Sequence, residues 1–217
     1  FLQYSKAARF SVKTIVIDMY SPYISLIKMV FPKAKIIIDK FHILQLFSRA
    51  LNKTRIKVMN MDKKNYNKLK KYWKLLLKDN ASIDFVNYRY HRSFKNQMRE
   101  IDIINYLLDL DPELRASYEL YHNVRFCIKN KDLDLLIRIL NDNTHKVSDY
   151  MRTSIKTIKK YIAYVGNALK YDFNNGVLEG INNKIKVIKR IAFGYKCFYH
   201  FKNRILIAQN MVRLKTA

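Results

Sequence analysis

The chain has 217 residues, 49% of them hydrophobic, and a formal net charge of +25 from 42 lysines and arginines against 17 aspartates and glutamates. That much apolar material excludes wholesale disorder and suffices for one large domain or two small ones. Cys127 and Cys197 lack CxxC spacing, which excludes a disulfide framework and a zinc site, and no apolar run reaches the ~18 residues of a spanning helix.

An excess of cations on this scale favours a polyanionic partner, because displaced counterions drive binding to phosphates. Nucleic acid is the expected class. A membrane surface is the competing class, but the charge is spread along the whole chain and not gathered on one amphipathic helix. The cysteine usage suits a reducing cytosol and no signal peptide opens the chain. A cytoplasmic, nucleoid-associated location without membrane attachment is therefore expected. Phe1-Leu2-Gln3-Tyr4-Ser5-Lys6 reads as the middle of a protein, so an N-terminal part is expected to be missing.

In chain order, residues 13–39 predict one βαβ unit. Thr14 to Ile17 is a short β-branched run, consistent with a buried parallel strand. Ser21-Pro22 predicts a helix start, with Ser21 as N-cap and Pro22 at the first helical position. Ile24, Ile27, Met29, Val30 and Phe31 supply its sheet-facing side, and Pro32 ends it. Ala34 to Ile38 is the second strand. A right-handed crossover places both strand ends on one edge of the sheet, so Asp18 and Asp39 fall where α/β proteins put their sites.

From Phe41 to about Tyr171 the character changes: one proline, Pro112, one glycine, Gly166, and a density of Leu, Ile, Lys, Tyr and Asn. Helical spacing recurs in Ile43, Leu46, Phe47, Ala50, Leu51 and Thr54, in Leu133, Leu136, Ile137 and Leu140, and in Ile155, Ile158, Ile162 and Val165. Several helices are predicted, with breaks near Asn80-Ala81, Asp111-Pro112 and Asn141-Asp142-Asn143. Asp111-Pro112-Glu113 has the form of a capped helix start with an acidic first turn.

Asn175-Gly176 is a turn signal. A helix follows, its buried stripe expected at Leu178, Ile181, Ile185, Ile188 and Ala192. Asn182, Asn183, Lys186 and Arg190 lie at helical spacings from Glu179 on a neighbouring face. Gly194 can stop this helix, and a last amphipathic helix is predicted over about Tyr199 to Val212.

Three acids stand out. Asp18 at a strand tip is either a rigidly held metal ligand or a cap for the following turn. Asp39 precedes Phe41-His42 and forms either a metal or acid–base pair with His42, or the N-cap of the next helix, with His42 as a packed core histidine. Glu179 is the only acid between Asp172 and the C-terminus. It is either a helix-dipole acid or a ligand set among cations that grip phosphates. His91, His122, His145 and His200 have no ligand-like spacing. Some of the 16 tyrosines could stack on unpaired bases; most are expected to line a helical core. No Gly-rich phosphate loop and no Ser-His-Asp or Cys-His arrangement is present.

The segments Val12–Tyr23 (VKTIVIDMYSPY), Phe31–His42 (FPKAKIIIDKFH), Asn175–Lys186 (NGVLEGINNKIK) and Lys189–Tyr195 (KRIAFGY) together resemble the DDE transposases of bacterial insertion sequences, in the ISL-three group, in their order and spacing. The resemblance covers essentially the whole chain. It implies an α/β, mostly helical protein: a partial ribonuclease-H-like fold with a large all-helical insertion before the catalytic glutamate helix. The implied divisions are a βαβ segment over 1–40, the insertion over 41–171, and C-terminal helices over 172–217 that complete the ribonuclease-H-like domain. It implies Mg²⁺-dependent DNA cleavage and joining at a two-metal site. Asp18 and Glu179 match catalytic, metal-ligating positions, with Asp39 and His42 as accessory candidates. Lys184, Lys186, Lys189, Arg190 and Lys196 are the expected DNA-binding residues. Transposon ends and target DNA are the implied partners, and the full-length protein is expected to be a homo-oligomer. The aspartate of the first strand has no counterpart here. The alternative is therefore a truncated, catalytically inactive DNA-binding remnant.

Overall fold

A computed structural model describes residues 1–142 and 145–211. The chain divides into two compact units, Phe1–Phe173 and a second beginning at Asn174. Among the described residues no helix is long and apolar enough to cross a membrane.

The first unit opens with a short helix, α1 (Lys6–Phe10), and then the expected βαβ unit: β1 (Thr14–Ile17), α2 (Ser21–Val30) and β2 (Lys35–Ile38). The two strands are parallel, with Ile15 opposite Ile36 and Ile17 opposite Ile38. Ile36, Ile37 and Ile38 are buried on both faces, as the unbroken β-branched run dictates. α2 buries Ile24, Ile27 and Val30, a spacing of three that turns the expected Met29 outward to 68% exposure. Ser21 is the first helical residue and not the cap; Tyr20 occupies the cap position with no side-chain bond.

The remainder of the unit is mostly helical: α3 (Lys40–Met61), α4 (Tyr66–Lys71), α5 (Trp73–Leu77), α6 (Glu100–Leu108), α7 (Pro112–Asn130), α8 (Leu133–Asp142), α9 (Asp149–Lys160) and α10 (Ile162–Lys170). A 22-residue helix such as α3 is about 33 Å long and serves as the spine. Its buried side includes Ile43, Phe47, Ala50, Leu51, Thr54 and Val58, and α7 and α9 pack along it. Asp111 caps α7 by accepting from the Leu114 N–H at 2.8 Å. Ser148 caps α9 and also meets the Thr54 hydroxyl at 2.6 Å, so buried hydroxyls tie α3 to α9. α10 covers the far edge of β2, where Asn167 Nδ2 donates to the Ile36 carbonyl at 2.8 Å. One hydrophobic core runs from Ile24 through Phe47 and Leu120 to Leu169. The expected break at Asn80-Ala81 is a single 3₁₀ turn, Asn80–Ser82. In the third expected break, Asn143 lies outside the described residues.

The expectation of an all-helical insertion is corrected by a hairpin of β3 (Arg89–His91) and β4 (Asn96–Met98). Its local cause is legible afterwards. Tyr88 and Tyr90 favour extended backbone, and Lys95 turns the chain with a left-handed φ of 52°.

His122 on α7 is buried, and its Nε2 lies 3.1 Å from the Leu76 carbonyl. Burial pushes its imidazole below the ordinary value. Above about pH 6.5 both folded and unfolded chains hold it neutral; below that the unfolded chain takes the proton first. The urea midpoint is therefore expected to fall as pH drops from 6.5 towards 5. The fall should be shallower in His122→Gln, and an equal slope would remove His122 from the explanation.

The second unit contains α11 (Gly176–Ile191) and α12 (Phe198–Ala208). Gly194, at φ 104°, ends α11 as expected, and its N–H closes on the Lys189 carbonyl at 3.2 Å. The expected stripe of α11 is not uniformly buried: Ile188 is buried, Ile181 and Ile185 are half-buried, and Leu178 and Ala192 are exposed. Two helices alone offer too little partner surface to cover five positions. α12 starts one residue before Tyr199 and ends at Ala208; Val212 of the expected range lies outside the described residues.

Candidate active site

The parallel register decides the site. Ile17 and Ile38 are paired, so Asp18 and Asp39, the next residues of the two strands, emerge side by side at the carboxyl edge of the sheet. The backbone N–H of Asp39 continues the ladder to the Ile17 carbonyl at 3.1 Å. α3 begins immediately afterwards and turns the positive end of its dipole towards this edge, with the N–H groups of Phe41, His42 and Ile43 taken up by Asp39.

The two aspartates do different work. Asp39 is 4% exposed and accepts from the Phe41 N–H through Oδ1 at 2.8 Å, which makes it the N-cap of α3. Asp18 has a side chain 56% exposed, with Oδ1 at 2.7 Å from His42 Nε2. His42 is thus held by the strand-end carboxylate, with its ring edge-on to Phe41. Asp39→Asn should cost only a few tenths of a kcal/mol, since an amide oxygen still caps, whereas Asp39→Ala should cost about 1–2 kcal/mol. Urea unfolding distinguishes them, and equal losses would argue against capping as the role of this side chain.

Asp172, near the end of the first unit, joins this region through Lys40 Nζ at 3.3 Å and Lys131 Nζ at 2.7 Å. Those two ammonium groups, Lys131 foremost, hold its carboxyl below the usual range. It was not singled out from sequence, since nothing local marks a carboxylate gripped from residues 40 and 131.

In the second unit Glu179 stands exposed in the first turn of α11. Asn183, Lys186 and Arg190, four, seven and eleven residues on, share its stripe, with Lys189 beside it. Lys184 lies on a different side of the helix, and its Nζ donates to the Ala208 carbonyl, capping the end of α12. Lys186, Lys189, Arg190 and Lys196 are exposed.

Among the described residues no group of three or more His, Cys, Asp or Glu is assembled as a metal cage. Asp18 does have the chemistry that Mg²⁺ accepts, a hard carboxylate with an open side; such ions typically take one or two carboxylates and fill the rest with water and phosphate oxygens. His42 nitrogen is a poorer ligand for Mg²⁺ and suits orientation of the carboxylate.

Strong basicity, a mostly helical α/β build and acids aligned at parallel strand ends define the class of protein. The chain belongs to the DDE transposase family of the ISL3 type, whose family model, described as a transposase, matches residues 1–205. It is similar to the transposase for insertion sequence element IS1001 of Bordetella parapertussis, at 24% identity over 216 residues, 96% of this chain and 50% of that protein. It is also 38% identical over 110 residues, 51% of this chain, to a Lactococcus lactis subsp. lactis protein named ATP-dependent protease, covering 35% of it. The chain thus spans half or less of the length of these relatives. The G-x-x-x-x-G-K-[ST] nucleotide loop does not occur in this sequence. No solved structure matches.

Proposed function

We propose that this chain is the C-terminal part of the catalytic domain of an insertion-sequence transposase, a ribonuclease-H-like domain interrupted by the helical insertion. The observation that carries the reading is the parallel register that sets Asp18 and Asp39 at one sheet edge, in a chain that belongs to this family. In this reading Asp18 and Glu179 ligate divalent metal, Asp39 fixes the start of α3, and His42 orients the Asp18 carboxylate. Bound Mg²⁺ would supply activation of a water or 3′-hydroxyl and stabilisation of the leaving oxygen. Lys186, Lys189, Arg190 and Lys196 would hold the DNA backbone. Asp172, in the first unit, is tied to Lys40 beside Asp39.

A DDE site needs a third acid, from a first strand that this sequence does not contain. By itself, the 217-residue chain is expected to bind DNA without cutting it. Fused behind a strand that carries the aspartate, it is expected to nick transposon-end DNA with Mg²⁺ and leave 3′-hydroxyl ends. Cutting confined to the RNA strand of a hybrid would instead assign a ribonuclease.

A further inference from the structure

Residues 63–99 hold eleven lysines and arginines against two aspartates, and both aspartates are engaged internally. Asp84 accepts from the Val86 and Asn87 N–H groups at 3.0 and 2.9 Å, and Asp79 pairs with Arg125 at 3.0 Å. Glu100, at the boundary of this stretch, is joined to Lys78. The field that the segment projects to solvent is therefore cationic.

The hairpin of β3 and β4 sits in the middle of this segment on a fixed base. His91 Nδ1 lies 3.1 Å from the Tyr72 hydroxyl, and Phe94 packs edge-on to Tyr106 with ring centroids 5.0 Å apart. The opposite face of the ribbon carries Tyr90, paired across the strands with Gln97. Tyr88, two residues earlier, falls on the same face. The two tyrosines are 58% and 66% exposed, for Tyr88 and Tyr90 respectively, and the Arg99 guanidinium lies over the Tyr88 ring at 5.2 Å. Arg92 and Lys95 are exposed at the turn. The Arg89 side chain is 75% exposed and lies 3.9 Å from Asp84, and a groove of about 260 Å³ is lined by Lys71, Lys74 and Arg89 together with Asp84 and Glu100, both carboxylates already bonded as above.

We infer that this hairpin docks a single-stranded segment of DNA, with Tyr88 and Tyr90 stacking on bases and Lys71, Lys74, Arg89, Arg92 and Lys95 meeting phosphates. The inference rests on DNA being the substrate. A pair of exposed aromatic rings framed by cations, Arg99 already lying against Tyr88, fits a ligand that offers flat faces and negative charge at once. Unpaired nucleotides do so, whereas a duplex presents phosphates but keeps its bases stacked away.

Fluorescence anisotropy with a labelled oligo-dT strand and a labelled duplex tests it on the full chain. Tyr88→Ala/Tyr90→Ala should weaken single-strand binding about tenfold or more and leave duplex binding and the salt dependence unchanged. Tyr88→Phe/Tyr90→Phe, which keeps the rings, should bind oligo-dT like the parent and controls for folding. Arg92→Glu/Lys95→Glu should lower the salt dependence on both probes. Equal losses on strand and duplex from the alanine pair, or none on either, would overturn the inference while leaving DNA as substrate. Binding to neither probe by the parent chain would overturn the DNA reading itself. Loss of binding to phosphatidylserine vesicles with oligo-dT binding intact would reassign the hairpin to a lipid surface and overturn the inference too.

Discussion

Asp18→Ala and Glu179→Ala are each expected to abolish DNA strand cleavage in a transposase that contains this chain together with the first-strand aspartate. The expected loss is about a thousandfold or more, because a lost ligand removes several kcal/mol of charge stabilisation in the transition state. Asp18 is exposed at a strand end and Glu179 is exposed on α11. Neither substitution opens a cavity, so melting temperatures should hardly move, and inactivity cannot be put down to unfolding. His42→Ala should be milder: it frees the Asp18 carboxylate without removing it, and the activity loss should be partly recovered by raising the Mg²⁺ concentration. Gels of end-labelled transposon DNA read all three. Cleavage that persists in Glu179→Ala would remove that residue from the site.

Affinity for duplex DNA is expected to fall steeply with salt, and the fall would report how many cations touch phosphate. For a chain of net charge +25, log affinity should decline linearly with log salt by about 0.9 per phosphate neutralised. Reversing Lys186, Lys189 and Arg190 together to glutamate should lower that slope by about three and weaken binding most at low salt. Lys184→Glu should behave differently. Its ammonium serves the Ala208 carbonyl, so this change should loosen the second unit more than it alters the slope. Filter binding across a salt series checks both. A slope unmoved by the triple reversal would place the DNA elsewhere on the chain.

The parts of the fold legible in the sequence are those with strong local causes. Unbroken Ile/Val runs dictated β1 and β2, Asp111-Pro112 dictated the start of α7, and Gly194 dictated the end of α11. The common edge for Asp18 and Asp39 follows from the parallel pairing that a βαβ crossover imposes. The hairpin is not legible because its strands are three residues each, too short for an alternating pattern to show. Met29 was misplaced because its neighbours Ile27 and Val30 settle which side of α2 is inward. The cover on α11 was overestimated because a 3-4 spacing shows that a face is apolar, not that a partner is present to bury it. The 2.7 Å contact between Asp18 and His42 depends on where a 22-residue helix docks, which no local pattern encodes.

The claim on which the function turns is that Asp18 and Glu179 hold the same ion. Iron(II) can take the place of Mg²⁺ at such carboxylates, and with ascorbate and peroxide it cuts the backbone beside its ligands. On this chain, cuts should fall next to residues 18 and 179 in one preparation, fade together under excess Mg²⁺, and vanish together in Asp18→Ala. A cut at residue 179 that survives Asp18→Ala, or cutting at only one of the two positions, would contradict a shared metal.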